Sequence, residues 1–187
     1  MDKREIVEKL ARSALGAAPG GSLITEWWRT PMERRKDKWL ERFEALILKL
    51  EESHGILPEE LFERDDFLDV FVEASASVVR TSNERKIKAI ENFVCNVALE
   101  PDIDDAIDSI CLRLLSVLSG SHLFILQQMY EKQTYDIDGF LPNYAKEPER
   151  WQLVKKDLAN HSLTGPYGND GLSETAHALL KRLAPIA

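Results

Sequence analysis

The sequence is short of cysteine and of long apolar runs, and both absences limit what the protein can be. Its 187 residues hold only two cysteines, Cys95 and Cys111, each inside an apolar pattern with helical spacing, so a disulfide framework is not expected. No apolar segment approaches the roughly 20 residues that a membrane-spanning helix requires. The first residues carry acidic side chains with no apolar run behind them, which does not fit a secretory signal. We therefore expect a cytoplasmic protein with no stable membrane span.

Recognisable catalytic motifs are absent as well. The chain has no Gly-x-Ser-x-Gly elbow, no His-Glu-x-x-His pair, no Cys-x-x-Cys pair and no glycine pattern of a phosphate-binding loop. We therefore predict a protein that is not an enzyme, with no catalytic residues, no metal-binding residues and no cofactor.

Two Glu-x-x-His pairs keep one remote alternative open, that of a metal-binding helical-bundle enzyme. Such pairs supply ligands in carboxylate-bridged di-iron bundles. Glu51 and His54 fall at the end of one predicted helix, whereas Glu174 and His177 fall in the first turn of another, in a different module. Surface positions at helix ends explain both pairs better. The other two histidines have no ligand at suitable spacing and are expected to be structural or exposed.

Hydrophobic periodicity predicts an all-α chain. Apolar residues recur at helical spacing through most of the sequence, and the connections in its middle are only a few residues long. We expect an N-terminal helix with a Gly-rich linker over 1–30, an antiparallel helical bundle over 31–118, and a small third module over 119–187. The helix predicted over 66–80 is apolar on more than one side and should lie at the centre of the bundle.

Capping signals set several helix ends. Capping boxes beginning at Thr30 and Thr81 each have a glutamate three residues later, and they predict helices that start just after them. Gly55 follows a long amphipathic pattern and is expected to end that helix in a left-handed conformation. Ser121 and Ser173 are expected to cap the helices that follow them.

The module over 119–187 is interpreted as winged-helix-like, with one short β-hairpin. Its helices are followed by a turn-rich stretch, Gly165-Pro166-Tyr167-Gly168-Asn169-Asp170-Gly171, and then by one closing helix. Asp157-Leu158 near a helix end, Leu163 before the turn and Leu172-Ser173 after it follow the order found in many bacterial winged-helix modules. In such a module the third helix, here near 148–160, can enter the major groove of DNA.

Two segments carry a family resemblance: Arg34-Arg35-Lys36-Asp37-Lys38-Trp39-Leu40 and Arg80-Thr81-Ser82-Asn83-Glu84-Arg85-Lys86. From about residue 31 to the end, the chain resembles a group of uncharacterised bacterial all-helical proteins with a C-terminal winged-helix-like module. The resemblance implies a bacterial origin and this fold, and it leaves the function open.

Charge is distributed unevenly along the chain. The net charge is −8, yet residues 1–49 hold eleven lysines and arginines against eight acidic residues, whereas residues 50–118 hold six against sixteen. An acidic middle repels phosphate backbones, so nucleic-acid contact is expected only from a flank.

Two surfaces are candidates for contact with a partner. The first is an aromatic and basic stretch that suits a protein partner or an anionic membrane surface: Trp27, Trp28, Arg29, Arg34, Arg35 and Lys38. Its structural alternative is that the tryptophans pack the linker onto the bundle while the cations solvate one helix face. The second surface is a DNA or partner surface on the third module: Arg150, Gln152, Lys155, Lys156, Asn160, Tyr167 and Asn169.

A non-enzymatic regulatory or protein-interaction role is the function we expect, with a protein partner or self-association. The alternative is a winged-helix DNA-binding transcriptional regulator. DNA is the less favoured ligand because acidic residues near the second surface offset most of its charge.

Overall fold

Eight α-helices make up most of the described part of the chain. This computed structural model describes residues 31–100, 105–132, 148–164 and 172–185. The helices are α1 (Pro31–His54), α2 (Pro58–Glu63), α3 (Asp65–Val79), α4 (Glu84–Leu99), α5 (Asp105–Val117), α6 (Gly120–Lys132), α7 (Pro148–Asn160) and α8 (Glu174–Leu183). The all-α prediction is confirmed. The predicted N-terminal helix and linker over 1–30 lie outside the described residues.

The chain divides into two compact units. One ends at Asp105 and contains α1 to α4, while the other runs from Ala106 to Pro185 and contains α6, α7, α8 and all but the first residue of α5. The boundary predicted from the sequence lies after residue 118. The division therefore groups α5 with the C-terminal helices.

The end of α1 agrees with its sequence signal. Gly55 adopts a φ of +69°, and its N–H donates to the carbonyl oxygen of Glu51 at 2.9 Å. A residue with a Cβ is strained in this left-handed conformation, which explains why glycine ends the helix here.

Helix α3 is the centre of the first unit, as expected, and packs against α1, α2 and α4. One of its small buried residues, Ser75, bonds directly to α1. The indole N–H of Trp39 on α1 donates to the hydroxyl of Ser75 at 2.8 Å, and that hydroxyl donates to the carbonyl oxygen of Phe71 at 2.6 Å. Trp39 is only 1% exposed, so this bond satisfies a donor that no water can reach.

Four phenylalanines form a cluster next to this contact, and Phe43 joins them to Trp39 with ring centroids 6.0 Å apart. The rings of Phe43 and Phe71 have centroids 4.2 Å apart, which joins α1 directly to α3. Phe62 of α2 meets Phe43, Phe67 and Phe71 edge-on, each with ring centroids 6.0 Å away. Edge-to-face contacts at this distance are favourable because the positive ring edge meets the negative ring face. The cluster therefore joins three helices into one core.

Arg64 ties the α2–α3 junction to the far end of α4. Its guanidinium donates to the carbonyl oxygens of Ala98 at 3.1 Å and Val97 at 3.2 Å, and it pairs with Asp66 at 2.6 Å. The hydrogen bond from Arg64 lowers the pKa of the Asp66 carboxyl. A cation at the C-terminal end of α4 suits both the free carbonyls and the helix dipole.

Two predicted caps are wrong by two residues. The side chain of Asn83, not of Thr81, accepts from the first turn of α4, at the N–H of Lys86. Thr81 instead accepts the N–H of Asn83 at 3.2 Å, a local turn that places Asn83 in the capping position. Ser119, not Ser121, precedes the first turn of α6, and its hydroxyl accepts the N–H of His122 at 3.4 Å.

In the second unit α6 packs against both α7 and α8. Ser173 caps α8 as predicted, accepting the N–H of Ala176 at 3.1 Å. Thr164 and Leu172 form an isolated antiparallel bridge, and the N–H of Ser173 donates to Leu163 at 3.1 Å. The turn between them lies outside the described residues, and the described part of the chain contains no β-strand longer than this bridge.

Removing the Ser75 hydroxyl should destabilise the first unit. We expect Ser75→Ala to lower the free energy of unfolding by about 1–3 kcal/mol, because the buried Trp39 N–H loses its acceptor. The double variant Trp39→Phe/Ser75→Ala removes donor and acceptor together. Its free energy of unfolding should therefore fall by less than the sum of the decreases in the single variants Trp39→Phe and Ser75→Ala. Urea unfolding of the four proteins measures this coupling, and strictly additive losses would contradict it.

Candidate functional site

A cleft of about 200 Å³ opens in the first unit between α1 and the connection from α3 to α4. Basic side chains of α1 form one wall, and the hydroxyl-bearing connection forms the other. The lining residues are Arg35, Lys38, Trp39, Arg42, Val78, Thr81, Ser82, Glu84 and Ile87. We call this the basic cleft.

Helical geometry puts the three cations on one strip. At 100° per residue, Arg35, Lys38 and Arg42 fall within an arc of about 60° on α1. The buried stripe that begins with Trp39 runs beside this arc, so packing of the stripe against α3 turns the cations toward the α3–α4 connection. The position of the cleft therefore follows from the packing of α1.

Arg42 is neutralised by two carboxylates of α4. Its guanidinium lies 2.7 Å from Glu84 and 3.3 Å from Glu91, and Glu91 also pairs with Lys88 at 3.1 Å. The hydrogen bond to Glu84 raises the pKa of the Arg42 guanidinium. This network holds α1 against α4, and it leaves Arg42 with little charge to offer a ligand.

The charges of Arg35 and Lys38 are not neutralised in this way. Nη1 of Arg35 donates to the carbonyl oxygen of Val79 at 3.3 Å, which anchors the guanidinium at the end of α3. Lys38 is exposed. Within the described ranges neither side chain has a carboxylate at ion-pair distance. The cleft thus combines two uncompensated cations in a protein with a net charge of −8.

The opposite wall adds neutral donors. Because the Thr81 hydroxyl oxygen already accepts the N–H of Asn83, its O–H remains to donate. Ser82 is exposed beside it, and α4 begins at Glu84 with the positive end of its dipole at this wall. Hydroxyl donors, a helix N-terminus and two cations together favour an anionic ligand.

The cleft contains part of the first surface that the sequence suggested. Arg35 and Lys38 line it, whereas Arg34 is exposed on α1 outside the lining. Trp27, Trp28 and Arg29 lie outside the described residues. Arg42, Thr81 and Ser82 were not predicted as site residues, because only the folded structure brings them to the same cleft as Arg35. None of the described helices combines the length and the apolar character that a membrane span requires.

The second surface is only partly as expected. Gln152, Lys156 and Asn160 are exposed on one face of α7, and Leu153 lies among them at 68% exposure. Lys155 is buried, at 7% exposure, and therefore differs from the predicted role as a surface contact. The cause is helical spacing, because Lys155 follows the buried Val154 and is three residues before the buried Leu158. The side chain of Arg150, and Tyr167 and Asn169, lie outside the described part of the chain.

A polar cluster joins α6 to α7. Nδ1 of His122 lies 2.7 Å from the Ser119 hydroxyl and accepts the N–H of Ser119 at 3.0 Å. Since Nδ1 is an acceptor, the neutral ring carries its proton on Nε2. Nε2 is buried and lies 3.2 Å from Oδ2 of Asp157, a close contact without the alignment of a hydrogen bond. Nε2 of His161 lies 3.9 Å from the other oxygen of Asp157. Sequence spacing did not reveal this cluster, because it depends on how α6 packs on α7.

These contacts are those of a helix cap, although Ser119, His122 and Asp157 have the composition of a catalytic triad. The Ser119 hydroxyl accepts the N–H of His122, and the His122 ring accepts the N–H of Ser119, as in a capping box with histidine in place of glutamate. The lone pair that a general base would use is therefore shared with a backbone donor. Asp157 then connects this cap to α7.

The described residues include the histidines of both Glu-x-x-His pairs and the Cys95 thiol. No group of three histidine, cysteine, aspartate or glutamate side chains is placed to hold a metal ion there. His54 and His177, from the two Glu-x-x-His pairs, are both exposed and belong to different units. Burial raises the pKa of the Cys95 thiol to about 11, which keeps it protonated and unreactive at neutral pH.

Comparison of the chain with models of protein families, with curated proteins and with solved structures finds no match. The resemblance to bacterial all-helical proteins therefore stays a prediction.

The capping interpretation of the polar cluster makes a testable distinction between two substitutions. We expect His122→Gln to destabilise the second unit less than His122→Ala, by about 0.5–1 kcal/mol, because glutamine at this position can still accept the N–H of Ser119. Thermal or urea unfolding of the two variants measures the difference. Covalent labelling of Ser119 by a fluorophosphonate probe would contradict the interpretation, because it would identify an activated nucleophile.

Proposed function

We propose that the protein acts by binding, as a regulatory or protein-interaction component, and that the basic cleft receives an acidic segment of a protein partner. The observation that carries this proposal is the pair of uncompensated cations, Arg35 and Lys38, gathered in a concave site of an otherwise acidic protein. Acidic proteins repel anionic ligands over most of their surface, so one basic concavity would select both the ligand and its orientation.

The exposed face of α7 adds little to this argument. Leu153 is the most exposed of the large apolar side chains in the described ranges, with Gln152 and Lys156 exposed beside it. A single exposed apolar side chain is common on protein surfaces and does not by itself identify a contact. The finer interpretation of the second unit as winged-helix-like belongs to this proposal, and it is supported by the order α6, α7, Thr164–Leu172 bridge, α8.

Charge reversal in the cleft tests the proposed function. We expect a fluorescein-labelled octaglutamate peptide to bind the wild-type protein at about 20 mM salt and to dissociate as salt is raised, because screening weakens the attraction. Lys38→Glu should weaken this binding at least tenfold, since it replaces an attractive charge with a repulsive one (~1.4 kcal/mol per factor of ten). Fluorescence polarisation measures the affinity.

Lys49→Glu is the matched control, because Lys49 is also an exposed lysine of α1 but does not line the cleft. It changes the net charge by the same amount and should leave the affinity within about twofold. Equal losses in the two variants would show that peptide binding depends on overall charge and would overturn the proposal.

DNA binding by α7 is a second candidate, favoured by the exposed Gln152, Lys156 and Asn160 on successive turns of one face. The burial of Lys155 removes one cation from this face and weakens the candidate.

A random DNA duplex at about 20 mM salt tests it, because the electrostatic attraction is strongest there. If α7 is the contact, Lys156→Glu should reduce duplex binding at least tenfold while octaglutamate binding is unchanged. Two results would exclude α7 as a DNA-binding helix. One is the absence of duplex binding at this salt concentration, and the other is a loss of duplex binding in Lys38→Glu but not in Lys156→Glu.

A further inference from the structure

We infer that the basic cleft is selective for a phosphate monoester, so that the acidic segment of the partner carries a phosphorylated side chain. This inference rests on the proposed function and deepens it. It depends on the charge of the cleft, on the directions in which its donors are arranged, and on how much of the site is held in place before a ligand arrives.

The charge of the cleft matches a phosphate monoester better than one carboxylate. Arg42 is compensated by Glu84 and Glu91, which leaves Arg35 and Lys38 to balance the ligand. A phosphorylated side chain carries about −1.5 to −2 charges at pH 7, whereas a carboxylate carries one. A single carboxylate would leave one of the two cations without a counter-charge.

The donors also converge from separate elements. Arg35 and Lys38 approach from α1, whereas the Thr81 and Ser82 hydroxyls belong to the α3–α4 connection. A carboxylate presents only two oxygens in one plane, whereas the donors here come from two sides: Nη1 of Arg35 is bound to Val79, its Nε and Nη2 remain to donate from α1, and the hydroxyls donate from the opposite wall. A phosphate group has three terminal oxygens, and these can accept donors from several directions.

Part of the cleft is formed in advance. The bond from Arg35 to Val79 fixes the guanidinium at the end of α3, and the bond from the Asn83 N–H to Thr81 fixes the hydroxyl oxygen. Trp39, which lines the cleft, is buried and bonded to Ser75. Donors that are already ordered lose less entropy when a ligand binds, which strengthens binding at this site.

Nuclear magnetic resonance titration tests the inference with three small probes. These are N-acetyl-phosphothreonine amide, N-acetyl-glutamate amide and inorganic phosphate, which represent a phosphorylated residue, a carboxylate residue and free phosphate. We expect the phosphothreonine probe to bind at least fivefold more tightly than the glutamate probe. Shifts should centre on the amides of Thr81, Ser82 and Glu84 and on the indole of Trp39. Inorganic phosphate should bind no more tightly than the phosphothreonine probe.

Two pairs of variants locate the site. Lys38→Ala should lower the affinity for the phosphothreonine probe about tenfold, whereas Lys49→Ala should leave this affinity unchanged. Thr81→Val removes the hydroxyl at nearly constant shape and should weaken binding severalfold, whereas Thr81→Ser keeps a hydroxyl and should bind nearly as wild type. Spectra of all variants report whether the fold is retained.

Failure of this inference and failure of the proposed function would give different results. Equal affinities for the phosphothreonine and glutamate probes would overturn phosphate selectivity and leave the acidic-segment proposal in place. Tighter binding of inorganic phosphate would identify a free anion as the ligand instead of a phosphorylated residue. Shifts away from the cleft, or equal losses with Lys38→Ala and Lys49→Ala, would overturn both proposals.

Discussion

The buried hydrogen bond between the Trp39 indole and the Ser75 hydroxyl is the constraint on which the first unit depends. A donor that is 1% exposed has to find an acceptor within the protein, and Ser75 supplies it only when α1 lies in one register against α3. The Phe43–Phe71 contact favours the same register. Apolar packing alone tolerates small shifts, so the polar bond gives this core its specificity.

The same register produces the basic cleft. Arg35, Lys38 and Arg42 lie beside Trp39 on α1, so fixing the indole against α3 also fixes where the cations meet the α3–α4 connection. The Glu84 and Glu91 carboxylates then compensate Arg42 and leave charge concentrated at Arg35 and Lys38. In the second unit, by contrast, Ser119 and His122 use their polar groups within the fold, because each side chain accepts the backbone N–H of the other in a helix cap. The cations Arg35 and Lys38 therefore remain available to a ligand, whereas the side chains of Ser119 and His122 are already hydrogen-bonded within the protein.

Two helix ends and the central position of α3 were predictable from the sequence, whereas two helix caps and the contacts between particular side chains were not. Gly55 and Ser173 end and begin helices as expected, because a left-handed φ and an N-cap hydroxyl are local requirements. Thr81 and Asn83 both suit an N-cap, and the choice between them was set by the turn that Thr81 stabilises. Arg35 and Lys38 were suggested by their charge, whereas Thr81 and Ser82 joined the site only through folding. The burial of Lys155 likewise required knowing which face of α7 packs inward.

Hydrogen exchange at the Trp39 indole is the most direct measurement of whether this bond fixes the cleft. We expect the indole proton, assigned by its loss in Trp39→Phe, to exchange only when the first unit unfolds, and to be protected as strongly as the amides of α3 without any ligand. Exchange of the indole within seconds while the α3 amides stay protected would contradict this account, because α1 would then separate from α3 locally and the cleft would not be formed in advance.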